Sequence, residues 1–150
     1  MAPRTLTRRA TILLDTLGRA DAELSVLLTD DRRIHALNNQ FRGIDGPTDV
    51  LSFPMDDELL GDIAMSLETA RRQVSDRACV ASRLERLTLP RPTPWALREE
   101  ATFLLIHGLL HLLGHDHADP AAEAAMIQEE RRLILPFLRP AGPPHGAASP

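Results

Sequence analysis

The chain has 150 residues, with 17 arginines, no lysine and 21 acidic side chains, for a net charge of −4. This length suits one domain with a real core, and the single cysteine, Cys79, excludes an internal disulfide, which is typical of a reducing cytoplasm. The negative charge argues against a uniformly basic surface for nucleic acid, and no apolar run is long enough to cross a membrane.

The first half of the sequence predicts helices and strands in alternation. Residues 5–19 are interpreted as an amphipathic helix and not as an export signal, because Asp15 leaves the apolar run too short. A strand follows at 23–29, where apolar and polar side chains alternate. Asp30 or Asp31 can cap a helix that runs to about Phe41. A glycine- and proline-rich loop at 43–48 then precedes strands at 49–54 and at about 61–66.

The second half predicts helices only. Ser66 can cap a helix that extends to about Leu87, and three prolines within residues 89–94 end it. An apolar helix covers 95–113, and Pro120 opens a last helix that ends near Leu135. We therefore expect one α+β domain over residues 1–138, with a small mixed β-sheet packed against about five helices. The tail at 139–150 is rich in Pro, Gly, Ala and Ser and is expected to be disordered.

Three histidines in and just after the apolar helix have the spacing of metal ligands. His107 and His111 are four residues apart and so lie on one helical face. Gly114 can end the helix in a left-handed turn, which would bring His117 back against the other two. Three neutral imidazoles suit Zn²⁺ and leave a fourth position open, as in catalytic sites. An ordinary buried helix is the alternative, but three unpaired buried imidazoles would be costly.

The residue after His107 limits what such a metal could do. The spacing H-x3-H-x2-G-x2-H is also that of the metzincin peptidases, in which a glutamate follows the first histidine and acts as general base. Here that position is Gly108. Phosphodiester cleavage depends less on this carboxylate than amide hydrolysis does, because a metal and a positive charge can stabilise the anionic transition state. We expect a glutamate at 108 to stand beside the metal and repel an incoming phosphate while zinc still binds.

Two further segments carry a family resemblance. Residues 37–54 read LNNQFRGIDGPTDVLSFP and residues 60–62 read LGD, ahead of HGLLHLLGHDH at 107–117. In this order and at these distances the motifs resemble those of the YbeY family, the bacterial metal-dependent endoribonucleases that mature ribosomal RNA. The resemblance covers about residues 22–135. It implies a zincin-like metal helix and a zinc-dependent, single-strand-specific endoribonuclease acting at the 3′ end of 16S rRNA and in ribosome quality control.

The resemblance also assigns roles to four residues. The zinc-binding histidines of the family correspond to His107, His111 and His117, for one Zn²⁺ per chain, and its functional arginine corresponds to Arg42. A guanidinium can hold a phosphate through two parallel hydrogen bonds. The implied partners are single-stranded RNA, rRNA and the ribosome or proteins of its small subunit, in the cytoplasm, with no DNA and no membrane.

Other polar residues near these motifs are weaker candidates. Asp116 could orient a ligand imidazole or serve the local turn, and Asp49 and Asp62 belong to the other two motifs. His115 stands where the family more often has tyrosine, and it is expected to point away from the metal. A local basic groove for RNA could combine Arg42 with Arg71, Arg72 or Arg98.

Three points stay open at the level of sequence. The family usually begins with a β-strand before its first helix, whereas residues 5–19 already read as that helix; either the strand is dispensable or the start lies downstream of the true one. The nucleophile can be a water at the metal or a ribose 2′-hydroxyl. The competing functions are a zincin-like metallopeptidase, which Gly108 disfavours, and a non-catalytic ribosome-assembly factor whose metal mainly holds the fold.

Overall fold

The computed structural model describes residues 1–56 and 59–139, which contain six α-helices and three β-strands. The first half comprises α1 (Pro3–Thr16), β1 (Glu23–Thr29), α2 (Asp31–Arg42), β2 (Val50–Pro54) and β3 (Leu59–Ser66). The second half comprises α3 (Leu67–Ser75), α4 (Arg77–Arg86), α5 (Leu97–Leu112), α6 (Pro120–Ile134) and a 3₁₀ turn (Leu135–Phe137). Apart from Arg139, the predicted tail lies outside the described residues.

The three strands form one mixed sheet in the order β1-β3-β2. β3 is central; it runs parallel to β1, with Val26 opposite Ile63, and antiparallel to β2, with Ser52 opposite Ile63. Within the described residues, β1 is therefore an edge strand. The α+β class, the mixed sheet and the predicted strand positions are confirmed, although β3 begins two residues earlier than expected.

The long helix predicted from Ser66 to about Leu87 is instead two helices, so six α-helices stand where about five were expected. Ser66 does cap the first, because its hydroxyl accepts from the Thr69 N–H. Asp76 then adopts an extended conformation, and its carboxylate accepts from the N–H groups of Ala78 at 2.9 Å and Cys79 at 3.4 Å. An aspartate in this role satisfies donors that a new helix leaves unpaired, so it begins α4 rather than continuing α3.

α5 is the central helix of the core. It packs against β2, β3, α1, α3 and α6, and Phe103, Leu105, Ile106 and Leu109 are at most 1% exposed. Because apolar residues cover nearly all of its faces, α5 can only be stable when surrounded in this way. Its C-terminal half lies over the sheet, where the Ser52 hydroxyl donates to the Gly108 carbonyl at 2.9 Å. No helix in the described ranges is long and apolar enough to cross a membrane.

Candidate metal centre

Three histidines are brought together at the C-terminal end of α5. His107 and His111 lie one turn apart on the helix, and His117 follows in the segment that leads to α6. Gly114 has a φ of +97°, which permits the reversal after the helix. The ligand-capable atoms of the three side chains all lie within 4.8 Å of one another. The predicted turn and the predicted meeting of the three imidazoles are therefore both present.

The spacing of the first two imidazoles suits a tetrahedral metal ion. The Nε2 atoms of His107 and His111 are 3.2 Å apart. Two nitrogens bound to one tetrahedral zinc at its usual bond length are about 3.3–3.4 Å apart. These residues are thus positioned to bind a metal ion, and they are the one cluster of three or more such side chains found in the part of the chain that the structure describes.

Two of the three imidazoles are oriented by contacts at Nδ1, on the side of the ring away from the cluster. The Nδ1 atom of His107 lies 2.7 Å from Oε2 of Glu130, and Nδ1 of His111 lies 2.9 Å from the carbonyl oxygen of His115. Both contacts leave Nε2 directed toward the centre of the cluster. Burial lowers the pKa of His111, and the nearby His107 lowers it further, which favours the neutral form that a metal requires.

Glu130 is the residue of this site that the sequence analysis missed. It lies on α6, its side chain is 0% exposed, and its Oε1 accepts from Nε of Arg86 at 2.9 Å. Burial alone would raise the pKa of this carboxyl, but the hydrogen bond with His107 and the charge of Arg86 together hold the pKa below its usual value. The helical spacing could have predicted its burial, because Glu130 follows the buried Met126 by four residues and precedes the buried Leu133 by three, on the apolar face of α6.

A cavity of about 310 Å³ opens beside the cluster. Two apolar residues of α5 contribute to its wall, and its polar lining consists of Asp49, Arg83, Arg86, His107, His117 and Glu123. Both arginines are already engaged, Arg83 with Glu100 at 2.8 Å and Arg86 with Glu130. A phosphate entering here would therefore need a further cation to balance its charge.

The three weaker aspartate candidates separate clearly in space. Asp49 lines the cavity beside His107 and His117, and its carboxylate accepts from Nε2 of Gln73 at 3.2 Å. Asp62 instead lines a different groove of about 910 Å³ between α1 and β1. Asp116 accepts from the Ala118 N–H at 3.0 Å, which is local turn chemistry. Of the three, only Asp49 lines the cavity beside the cluster.

Arg42 is the last residue of α2, and its side chain is exposed. Within residues 1–56 and 59–139, no hydrogen bond or ion pair joins its guanidinium to another side chain. Two of the other arginines considered for a basic groove are engaged, Arg72 with Asp31 at 2.6 Å and Arg98 with Glu99 at 3.4 Å. Arg71, the third, forms no ion pair in the described ranges, so of the four arginines of the predicted groove only Arg42 and Arg71 are unpaired there.

Gly108 packs closely against the sheet. A Cβ atom added there would lie 3.0 Å from Oγ of Ser52 and 3.2 Å from two carbons of Ile63. A side chain at 108 would contact the sheet through its Cβ, so a glutamate there needs Ser52 or Ile63 to shift by a few tenths of an ångström. The expectation that its charge would stand beside the metal stays a prediction.

Comparisons with known proteins agree with the motifs. A family model described as Endoribonuclease YbeY matches residues 4–137. The chain is similar to a protein named Endoribonuclease YbeY from Anaeromyxobacter sp. (strain Fw109-5), with 43% identity over 97% of this chain and 73% of the relative. It is also similar to the protein of the same name from Anaeromyxobacter dehalogenans, with 45% identity over 88% of this chain and 63% of the relative. The solution structure of TM1509 from Thermotoga maritima is similar with a TM-score of 0.54 and 26% identity, over 87% of this chain and 77% of that one.

Proposed function

Because the chain belongs to the YbeY family of endoribonucleases, we propose that it cleaves single-stranded ribosomal RNA with one zinc ion held by His107, His111 and His117. The observation that carries this proposal is the convergence of these three imidazoles beside a cavity, with two of them held so that Nε2 faces the cluster. Three nitrogen ligands leave coordination positions free, which is the arrangement of catalytic zinc rather than of closed structural sites.

The metal and two side chains have chemical tasks in this proposal: Asp49 at the cavity wall, and Arg42 on α2, which is not among the residues that line the cavity. A zinc ion bound there supplies a Lewis acid that stabilises negative charge on a phosphoryl oxygen and makes water a better nucleophile. Arg42 binds the phosphate, because its guanidinium has no competing acid among the described residues and can donate two parallel hydrogen bonds. Asp49, which Gln73 holds at the cavity wall, can accept the proton of the attacking hydroxyl group.

The proposed substrate is the 3′ end of 16S rRNA, with a further role in ribosome quality control. Net charge −4 and paired cavity arginines argue against tight autonomous binding of RNA. We therefore propose that the ribosome or proteins of its small subunit deliver the substrate, in the cytoplasm. Single-stranded segments are the expected targets, as the resemblance to the family implies.

One assay separates this function from its competitors. Purified, zinc-loaded protein is incubated with a single-stranded fragment of 16S rRNA precursor and, separately, with a peptide library. We expect internal cuts in the RNA and intact peptides, with no cuts by a His111→Ala variant. Hydrolysed peptides with intact RNA would identify a metallopeptidase, and cleavage of neither substrate would indicate an assembly factor with a structural metal.

A further inference from the structure

A chain of buried polar contacts connects the metal centre to two other helices. His107 on α5 contacts Glu130 on α6, and Glu130 contacts Arg86, the last residue of α4. Arg86 also reaches Glu123 on α6 at 3.4 Å. The Glu130 side chain is 0% exposed, while those of His107 and Arg86 are 21% and 22% exposed. A fully buried carboxylate is costly unless each of its oxygens has a partner, and here each has one.

The direction of these hydrogen bonds determines the tautomer of His107. An arginine can only donate, so Oε1 of Glu130 acts as an acceptor for Arg86. Oε2 is then an acceptor as well, because the buried carboxylate forms an ion pair with the permanently charged guanidinium of Arg86. In the neutral ring, Nδ1 of His107 must therefore carry the single proton, which leaves the lone pair on Nε2.

We propose that Glu130, held in place by Arg86, is a positioning residue that fixes His107 in the tautomer whose Nε2 can bind the metal. This inference rests on the proposed metal site. His111 is held by a backbone carbonyl, which side-chain substitution cannot remove. Among the described residues, no hydrogen bond holds Nδ1 of His117. Glu130 is thus the side chain through which the geometry of the ligand set can be altered without touching a ligand.

Glu130→Gln should release the tautomer of His107 while changing the shape of the side chain very little. Glutamine offers one acceptor oxygen, but both Arg86 and Nδ1–H of His107 require an acceptor. When the amide oxygen faces Arg86, its NH₂ group faces His107 and donates to Nδ1. The proton of the neutral imidazole then moves to Nε2, the atom that must face the metal.

Glu100→Gln is the matched control. Glu100 is also a buried glutamate, 2% exposed, and it also binds an arginine side chain, through Arg83 at 2.9 and 2.8 Å. It has no contact with the three histidines. Both variants lose one charge-assisted buried pair, so both should lower the melting temperature, and only Glu130→Gln should change the state of His107.

Two measurements on the full chain test the proposal. In the metal-free protein, long-range ¹⁵N–¹H NMR of the histidine rings should show His107 protonated on Nδ1 in the wild type and in Glu100→Gln, and shifted toward Nε2 protonation in Glu130→Gln. Zinc affinity, measured by competition with a chelator, should fall by about 10- to 100-fold in Glu130→Gln and stay within about 3-fold of wild type in Glu100→Gln.

Three results would overturn the proposal: wild-type His107 protonated on Nε2, wild-type zinc affinity in Glu130→Gln, or equal losses of affinity in both variants. The first can be read from the wild type even when a variant does not fold. A wild type that fails to bind zinc would refute the proposed metal site, whereas the NMR result would still decide which tautomer Glu130 maintains. Neither measurement depends on RNA cleavage. A failure of the proposed ribonuclease function can therefore be distinguished from a failure of the proposed role of Glu130.

Discussion

The metal centre and the segment that carries Arg42 are built in opposite ways. His107 and His111 project from the most buried helix of the molecule, and their rings are held at Nδ1. Arg42 ends a helix at the surface, and its guanidinium is bound to no other side chain in the described ranges. The comparison teaches that the metal-binding part of the proposed site is fixed before any ligand arrives, while the arginine proposed for phosphate is free to adjust.

The backbone next to Arg42 is nevertheless well defined. Gly43 closes α2 in the left-handed conformation, with a φ of 68°. Nδ2 of Asn38 donates to the Gly46 carbonyl at 2.8 Å, and Nε2 of His35 lies 2.7 Å from the Asp45 carboxylate. The side chain of Arg42 thus extends from an ordered backbone with no side-chain partner among the described residues, which would suit the proposed binding of a phosphate.

The largest expected effect tests the fixed part. His111→Ala removes one of three imidazoles, so the variant should lose its stoichiometric zinc and all zinc-dependent RNA cleavage. Bound metal is measured by elemental analysis after gel filtration. His115→Ala is the matched control, because it retains the backbone carbonyl that contacts His111 and should keep the metal. Full zinc occupancy in His111→Ala would mean that the ligands are wrongly assigned.

The second effect tests the free part. Arg42→Ala should lower the rate of RNA cleavage by about 10²- to 10³-fold, as loss of one charge-stabilising donor does. Its zinc content should be unchanged, and its free energy of unfolding should change by no more than about 0.5 kcal/mol. Arg8→Ala removes the same charge from an exposed position on α1 and should leave the rate near wild type. A variant that unfolds or loses zinc would make Arg42 a structural residue.

A third experiment compares glycines of the two regions. Gly108→Ala places a methyl group against Ser52 and the buried Ile63; overpacking costs about 1–3 kcal/mol, against about 1 kcal/mol regained as helix propensity. We expect a net loss of about 1 kcal/mol in urea unfolding. Gly46→Ala, in the loop after Arg42, meets nothing within 4 Å and should be neutral. Equal stability of the two variants would show that α5 does not need this close approach.

The smallest effect concerns the opposite end of the helix that carries Arg42. Hydrogen bonds from Arg72, Ser66 and Thr69 lower the pKa of Asp31 to about 2. Since the folded pKa lies below the unfolded one, this stabilisation is present above about pH 4 and is lost as the pH falls through 2. Asp31→Asn should cost at most about 1 kcal/mol at pH 7.

Urea titrations of Asp31→Asn and wild type between pH 7 and pH 2.5 measure this difference. The gap between the two proteins should narrow as the pH falls. Asp21→Asn, in the turn before β1, should show no gap at any pH. A gap for Asp31→Asn that stays constant with pH would assign its cost to lost packing rather than to charge.

The parts of the site that could be predicted from sequence are those set by local geometry. The four-residue spacing of His107 and His111 fixes their relation on any α-helix, and Gly114 marks the turn that returns His117. The start of α3 and the strand positions follow from capping residues and alternation in the same way. The predicted order of elements was confirmed in the structure, apart from the division of one helix at Asp76.

The remaining parts depend on contacts between distant segments. Glu130 meets His107 across 23 positions of sequence, and its burial depends on how α4, α5 and α6 pack together. Gly108 packs closely against β2 and β3. The spacing of residues along the chain does not reveal this contact. The availability of Arg72 could not be judged from sequence because its acidic partner, Asp31, lies on a different helix.

Zinc titration of RNA cleavage tests the central claim most directly. Metal-free wild type receives increasing zinc, and its single-turnover cleavage of a single-stranded 16S rRNA precursor fragment is measured at each step. We expect no cleavage without metal, a rise that ends at one equivalent per chain, and no cleavage at any zinc level in His111→Ala. Cleavage by the metal-free protein, or equal cleavage by His111→Ala, would contradict a catalytic metal held by His107, His111 and His117.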